Sequence, residues 1–332
     1  MALIVVVRAP NWLGDTVMAL PALHALRAGQ PQARIMVVGR WAPLLAGQGT
    51  ADLLLAYPAG WVARRRFARA LAAEPADLAL LLPGSFESAL AARLWRARRR
   101  VGFASDGRRL LLTDPLPVPA PRLHQVDEYL LLARAAGVEV ADRQPLWRVT
   151  PNPSAEAEVD GLLQEAGASP GDKLVGLHLG AAGGPAKRWR AYSFAMLSDA
   201  LAEAGLAPLL LGSAADGPGA DEVRAASRSS PRSLVGRDRP ALLPPLLRRL
   251  SCLVSGDTGV AHLAAALSVP TVTLFGPTDP RLTAPRSPRA QVVHGGAPCA
   301  PCFRGSCPID HGCMRAITVE EIEKRVREAI AS

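Results

Sequence analysis

Residues 251–280 read SCLVSGDTGVAHLAAALSVPTVTLFGPTDP, and their pattern decides the fold. A short apolar run ends in Gly256-Asp257-Thr258-Gly259, and a helix-like run follows to Leu267. Pro270 then precedes a second apolar run, TVTLF, closed by Gly276-Pro277. The order predicts strand, tight turn, helix and strand, the alternation of an α/β protein. Small polar residues stand at the helix start, where free N–H groups and a partial positive charge suit a phosphate. His262 follows Thr258 by four residues and so shares the helical face of the turn. Asp and Thr are also preferred N-cap residues, so plain capping by Asp257 or Thr258, with His262 as a packed polar side chain, reads the same letters equally well.

Working outward, the same alternation fills the chain. LIVVV (3–7), RIMVVG (34–39) and DLALLLPG (77–84) read as strands. TVMALPALHALRA reads as one amphipathic helix, and further helices are expected through Ala92 and over 124–136. VGF (101–103) leads into a proline-rich stretch at 113–122. The region 142–155 has the proline and polar content of an interdomain crossing. KLVGLHLG (173–180) then opens a second α/β unit, with strands expected at 207–212 and 233–236. Helices are expected at 156–167, 191–205 and 220–228. The tail ITVEEIEKRVREAI, with Thr318 and Glu321 as a capping pair, predicts a last amphipathic helix with a face free to pack back toward the N-terminal domain. Two doubly wound Rossmann-like domains, 1–155 and 156–332, are therefore expected, as the length of 332 residues also suggests. Such sheets bind ligands outside the carboxyl ends of their strands, which predicts a central cleft lined by those ends.

The chain is 49% hydrophobic and 20% charged, which excludes broad disorder. The start MALIVVVRAP is too short and too β-branched for a secretory segment, and no apolar run approaches the roughly 20 residues of a membrane span. A cytoplasmic protein is expected, attached to a membrane only from the side. The net charge of +9 is uneven: residues 1–155 hold 19 Arg against 11 Asp and Glu. An acidic partner for that half is one reading. Genomic bias is the other, because the chain has 35 Arg and only 3 Lys. Cys299, Cys302, Cys307 and Cys313 cluster with His311, either as a structural zinc knot or as a loop stiffened by Pro298, Pro301 and Pro308.

Several loops at predicted strand ends could carry chemistry. Asp15, in NWLGD after the first strand, is an N-cap candidate and also a carboxylate able to take a proton from a hydroxyl. Gly180–Trp189 is glycine-rich and ends in Lys187-Arg188. Backbone N–H groups and a lysine can surround a diphosphate in such a loop. It has no G-K-[ST], and the first strand does not lead into G-x-G-x-x-G, so neither common nucleotide fingerprint is present. Asp216, after the strand at 207–212, could accept from ribose hydroxyls or be a plain loop acid. In 60–73, Trp61, Phe67 and Leu71 interleave with Arg64, Arg65, Arg66 and Arg69, which suits an anionic membrane surface. Arg96 and Arg99 belong to a second basic run.

With both halves read, the chain resembles the ADP-heptose:lipopolysaccharide heptosyltransferases, glycosyltransferase family 9. The resemblance runs through RAPNWLGDTVMALPAL (8–23), GPAKRW (184–189), SGDTGVAHLAAAL (255–267), PTVTLFGPTDP (270–280) and CAPCFRGSCPIDHGCM (299–314). It implies the GT-B fold and an inverting glycosyl transfer that needs no metal or other cofactor. The donor would be ADP-heptose and the acceptor the first heptose of the lipopolysaccharide inner core, at the cytoplasmic face of the inner membrane. Carried over residue by residue, Asp15 is the base and Lys187 contacts the donor phosphates. Asp257, Thr258, Gly259 and His262 surround heptose and diphosphate, and Asp216 sits near the ribose. The basic half would receive acceptor phosphates and carboxylates. GAAGGPAKRW departs from the family in lacking aromatic or asparagine residues ahead of PAKRW. Two other readings stay open: the same family with another sugar or acceptor, and a non-catalytic module for anionic glycan or membrane. Nucleic acid has no motif in support beyond charge.

Overall fold

The computed structural model describes residues 2–331 apart from 141–143, 149, 151 and 238. The chain divides into two compact units, Met1–Arg148 and Val149–Ser332. The boundary thus falls before the helix Pro153–Glu165 and not after residue 155. That helix is capped by Asn152, whose Oδ1 accepts from Ala155 N at 3.2 Å, and it packs against the helix Leu243–Arg248 of the second unit. Of the proline-rich crossing, residues 142, 143, 149 and 151 lie outside the described residues.

The first unit holds strands β1 (Ile4–Arg8), β2 (Arg34–Gly39), β3 (Leu53–Ala56), β4 (Leu78–Leu81), β5 (Arg99–Phe103) and β6 (Asp114–Leu116). They form one parallel sheet in the order β3-β2-β1-β4-β5-β6. Both faces are covered by helices, so the inner strands read as unbroken apolar runs and not as alternating ones. Val5, Val7, Ile35, Val37 and Leu80 have no exposed surface. Burying one such side chain fully contributes about 1.5–3 kcal/mol. Winding reverses between β1 and β4, and the loops that follow these two strands flank that switch point.

The second unit holds β7 (Leu174–His178), β8 (Ala207–Leu211), β9 (Arg232–Ser233), β10 (Cys252–Gly256), β11 (Thr271–Phe275) and β12 (Ala290–His294). These too are all parallel, in the order β12-β11-β10-β7-β8-β9, and here the switch point lies between β7 and β10. The strand–turn–helix–strand reading of 251–280 is therefore correct: β10, the helix Gly259–Ala266 and β11 follow in that order.

Three features differ from the sequence reading. The expected single helix after β1 is two, Leu13–Met18 and Leu20–Gly29. Pro21 sits in the first turn of the second, where its missing N–H costs nothing, but it cannot continue a preceding helix. The terminal helix Val319–Ala331 packs on its own unit, with Ile322 and Val326 in one core with Val254, Leu274 and Trp189. Strands β3, β6 and β12 were not expected. Two of them, β3 and β12, are half-exposed edge strands that lack a buried apolar run, and β6, also an edge strand, has only three residues and carries Pro115, which argues against a strand.

Candidate functional site

In the first unit, Asp15 is the third residue of the helix Leu13–Met18, and Trp12 holds the N-cap position. The N-cap reading of Asp15 is thereby replaced. The carboxylate sits half-buried in the first turn, where the helix dipole favours its charge. Tyr129, buried in the helix Gln125–Ala135, lies within reach of that charge. Burial first, then Asp15 and Glu128, push its phenol well above the ordinary value.

At the end of β1, before the loop that leads to Asp15, lies a cluster whose pairing the sequence reading missed. Arg8, at the end of β1, is 1% exposed, and its guanidinium stacks on the Tyr57 ring at 4.2 Å. Its Nη2 donates to Asn11 Oδ1 at 2.7 Å, which fixes the loop leading to Asp15. Arg64 stacks on the same ring at 4.9 Å. Glu87 joins the three, accepting from the Tyr57 hydroxyl and pairing with Arg64 at 3.6 Å and Arg8 at 3.8 Å. Burial lowers the Arg8 pKa, and Glu87 opposes that shift. The Pro83–Glu87 loop is held from behind by buried Arg108. Its Nη1 donates to Pro83 O and to Ser88 Oγ, at 2.5 Å and 2.7 Å. Burial brings this arginine down to about 10. A charged residue closing an apolar run, as in IVVVR, is the unused signal for Arg8.

The expected basic surface divides. Arg64, Arg65 and Arg66 occupy the first turns of the helix Trp61–Ala72, which follows β3 at the carboxyl edge of the sheet. Trp61 and Val62 beside them are 68% and 73% exposed. Arg69 lies a turn further along and is exposed. Arg96 and Arg99 sit elsewhere: Arg99 opens β5 and pairs with Asp114 at 2.9 Å, and Arg96 lies in the turn before it. They belong to the amino edge of the sheet, so one patch does not contain both arginine runs.

In the second unit, the loops after β7 and β10 meet at the switch point. Lys187 Nζ donates to Asp257 Oδ2 at 2.7 Å. The Lys187 carbonyl passes so close to Gly256 that a Cβ there would lie 3.2 Å from it. Gly184 has φ +110°, and a Cβ on it would meet Gly305 O at 2.3 Å, so only glycine fits. The far end of the loop is anchored by buried Trp189, whose Nε1 donates to Ile317 O at 3.2 Å. Thr258 is the N-cap of the helix Gly259–Ala266, but its side chain makes no capping bond. Its hydroxyl is engaged instead with Ser255 Oγ at 2.9 Å. The first-turn N–H groups of that helix therefore have no side-chain cap from Thr258. His262 is buried in the following turn, its N–H directed to Thr258 O at 3.5 Å.

Asp216 is buried and takes part in a capping box with Ser213, accepting from Ser213 N at 3.0 Å and Ser213 Oγ at 2.8 Å. Its second oxygen accepts from Arg188 Nη2 at 3.1 Å. His178, the last residue of β7, faces Asp216 around Gly180. Burial lowers its pKa to about 4 against the pull of Asp216, so its imidazole is neutral at physiological pH. His178 and Ser255 were missed, and Arg188, read only as the second cation of its loop, pairs with Asp216; a polar residue at the end of an apolar strand, as in VGLH and LVSG, marks the first two.

The cysteine-rich segment packs against the loop after β7 and the loop after β11. Gly305 O accepts from Ala186 N at 3.0 Å, and Cys302 N and Phe303 N donate to Pro277 O. Among the described residues no group of three or more His, Cys, Asp or Glu side chains could hold a metal ion. Nor is any described helix long and apolar enough to cross a membrane.

The family model for glycosyltransferase family 9 (heptosyltransferase) matches residues 64–312. The lipopolysaccharide heptosyltransferase 2 of Salmonella typhimurium is 33% identical over 312 residues, covering 87% of each chain. Its Escherichia coli counterpart is 31% identical over 310 residues, with the same coverage. The structure of E. coli ADP-heptose lipopolysaccharide heptosyltransferase II superposes with a TM-score of 0.81 at 27% identity, over 99% of this chain and 98% of that one. An E. coli heptosyltransferase solved with ADP shares the fold, with a TM-score of 0.72 at 20% identity over 98% of this chain and 99% of that one. Both strand order and superposition agree with the expected GT-B fold.

Proposed function

This chain belongs to glycosyltransferase family 9, and we propose that it moves L-glycero-D-manno-heptose from ADP-heptose to the first heptose of the lipopolysaccharide inner core, inverting the anomeric centre without a metal. The observation that carries this reading is the cluster at the second switch point. An ammonium, a carboxylate and a helix N-terminus left without its side-chain cap converge there within two loops. A diphosphate is the ligand that such a set suits.

The chemistry follows from these groups. Asp15 takes the proton of an acceptor hydroxyl, and the oxygen attacks the anomeric carbon from the face opposite the nucleotide. The bond from that carbon to the β-phosphate oxygen breaks, and its electron pair leaves with ADP. Charge grows on the diphosphate as this happens. Lys187, the Thr258 hydroxyl and the N–H groups that follow it are fixed donors for that charge, which is where electrostatic stabilisation lowers a barrier most. Asp257 holds Lys187 in place, and Asp216 is the proposed ribose partner. On the acceptor side, Arg64, Arg65, Arg66 and Arg69 suit phosphates and sugar carboxylates. Trp61 and Val62 beside them suit the anionic cytoplasmic face of the inner membrane, from which a lipid-linked acceptor would be drawn. Membrane association would thus be peripheral.

Metal independence is tested by turnover of ADP-heptose on heptosylated Kdo–lipid A after exhaustive treatment with EDTA. Rates equal to the untreated enzyme are expected. Activity that vanishes and returns with added Mg²⁺ contradicts the mechanism.

A further inference from the structure

The second sheet carries a polar row where its core should be apolar. Strand register aligns Leu177, Val254 and Val272 across β7, β10 and β11, all buried hydrocarbons. One residue further toward the carboxyl edge, the aligned residues are His178, Ser255 and Thr273. All three are buried, and Thr273 Oγ1 has no hydrogen-bond partner among the described residues. Register partners on parallel strands point to the same face, so the sheet itself fixes the His178–Ser255 spacing. Ser255 Oγ lies 3.5 Å from His178 Nδ1 and 2.9 Å from Thr258 Oγ1. The chain of polar groups therefore ends on the residue whose hydroxyl fails to cap its own helix.

We propose that His178 and Ser255 are positioning residues for the donor diphosphate, acting through Thr258. The inference rests on the reading that the Asp257–Thr258 turn receives that diphosphate. A serine hydroxyl has one proton and two lone pairs. With the proton of neutral His178 on Nδ1, one direction gives each of the three donors an acceptor once an anion arrives. His178 Nδ1–H donates to Ser255, Ser255 donates to Thr258, and Thr258 keeps its own proton for a phosphate oxygen. With the chain reversed, the Thr258 proton points inward to Ser255, and the hydroxyl presents lone pairs to an anion. Ser255 also lies 3.0 Å from Gly256 O, the acceptor that competes for its proton when no ligand is bound. The arrangement orients a donor without adding charge, and chains of hydrogen bonds of this kind polarise one another.

The test compares ADP with adenosine by calorimetry, on variants whose thermal unfolding is measured in parallel. The wild-type protein binds ADP more tightly than adenosine. In Ser255→Ala, a change of a single atom, ADP affinity falls up to about tenfold, the range of a neutral hydrogen bond removed from the Thr258 hydroxyl, while adenosine affinity is unchanged. His178→Asn, whose side-chain N–H stands where Nδ1–H was, retains ADP binding; His178→Leu loses it to the same degree as Ser255→Ala. Ser255→Ala and His178→Leu variants that keep the wild-type ratio of ADP to adenosine affinity overturn the inference. A wild-type protein that does not distinguish ADP from adenosine overturns the diphosphate reading beneath it as well, so the two failures are told apart.

Discussion

The two units share one strand order when each is numbered from its own first strand, 3-2-1-4-5-6, yet their switch points differ in chemistry. In the first, the loop after β1 leads to Asp15, and the loop after β4 brings Glu87 to guanidinium groups stacked on Tyr57. In the second, the loops after β7 and β10 bring one lysine, one carboxylate and a helix start whose threonine is turned away. The backbone thus decides where a ligand can lie, and a handful of side chains decides which one. A stacked arginine presents a planar fork to a large, varied anion, while a compact ammonium and backbone N–H groups suit the fixed geometry of a diphosphate. The proposed division follows: acceptor and base on the first unit, donor on the second.

The largest expected effect breaks the first side alone. Asp15→Asn should lower kcat about 10²–10⁴-fold, the usual contribution of a positioned general base, in steady-state assays with both substrates saturating. Turnover within a few-fold of wild type would remove Asp15 from the chemistry. A smaller effect separates the two arginine runs. Replacing Arg65 and Arg66 with alanine should raise the acceptor KM several-fold, and the increase should shrink at high salt, because exposed charges are screened. Replacing Arg96 and Arg99 should leave KM unchanged, since Arg99 serves an ion pair with Asp114 at the far edge of the sheet. Equal effects from the two pairs would show that the acceptor surface is not confined to the carboxyl edge.

Most of the fold was legible because buried parallel strands are unbroken apolar runs. β2, over 34–39, and β11, over 271–275, lie where the letters put them. Edge strands carry no such signal: AQVVH in β12 alternates in exposure and reads like a loop. The break between Met18 and Leu20 was written in Pro21 but masked by the apolar periodicity on both sides. At the site, Lys187, Asp257, Thr258 and Gly259 were legible because glycine and small polar residues mark strand-end loops. Their pairing was not, since residues 187 and 257 meet only through the strand order. The same holds for Arg8, Tyr57 and Glu87, three residues from three separate strand ends. Grouping Arg96 and Arg99 with the Arg64 run had no such constraint, because charge runs do not say which edge of a sheet they occupy.

The division of labour is tested most directly by measuring ADP dissociation constants for the wild-type protein, Asp15→Asn and Lys187→Ala by calorimetry. The account predicts that Asp15→Asn binds ADP as the wild type does, while Lys187→Ala binds it about tenfold or more weakly, as loss of a charge-assisted hydrogen bond requires. An Asp15→Asn variant that loses ADP affinity, or a Lys187→Ala variant that keeps it, would contradict the account.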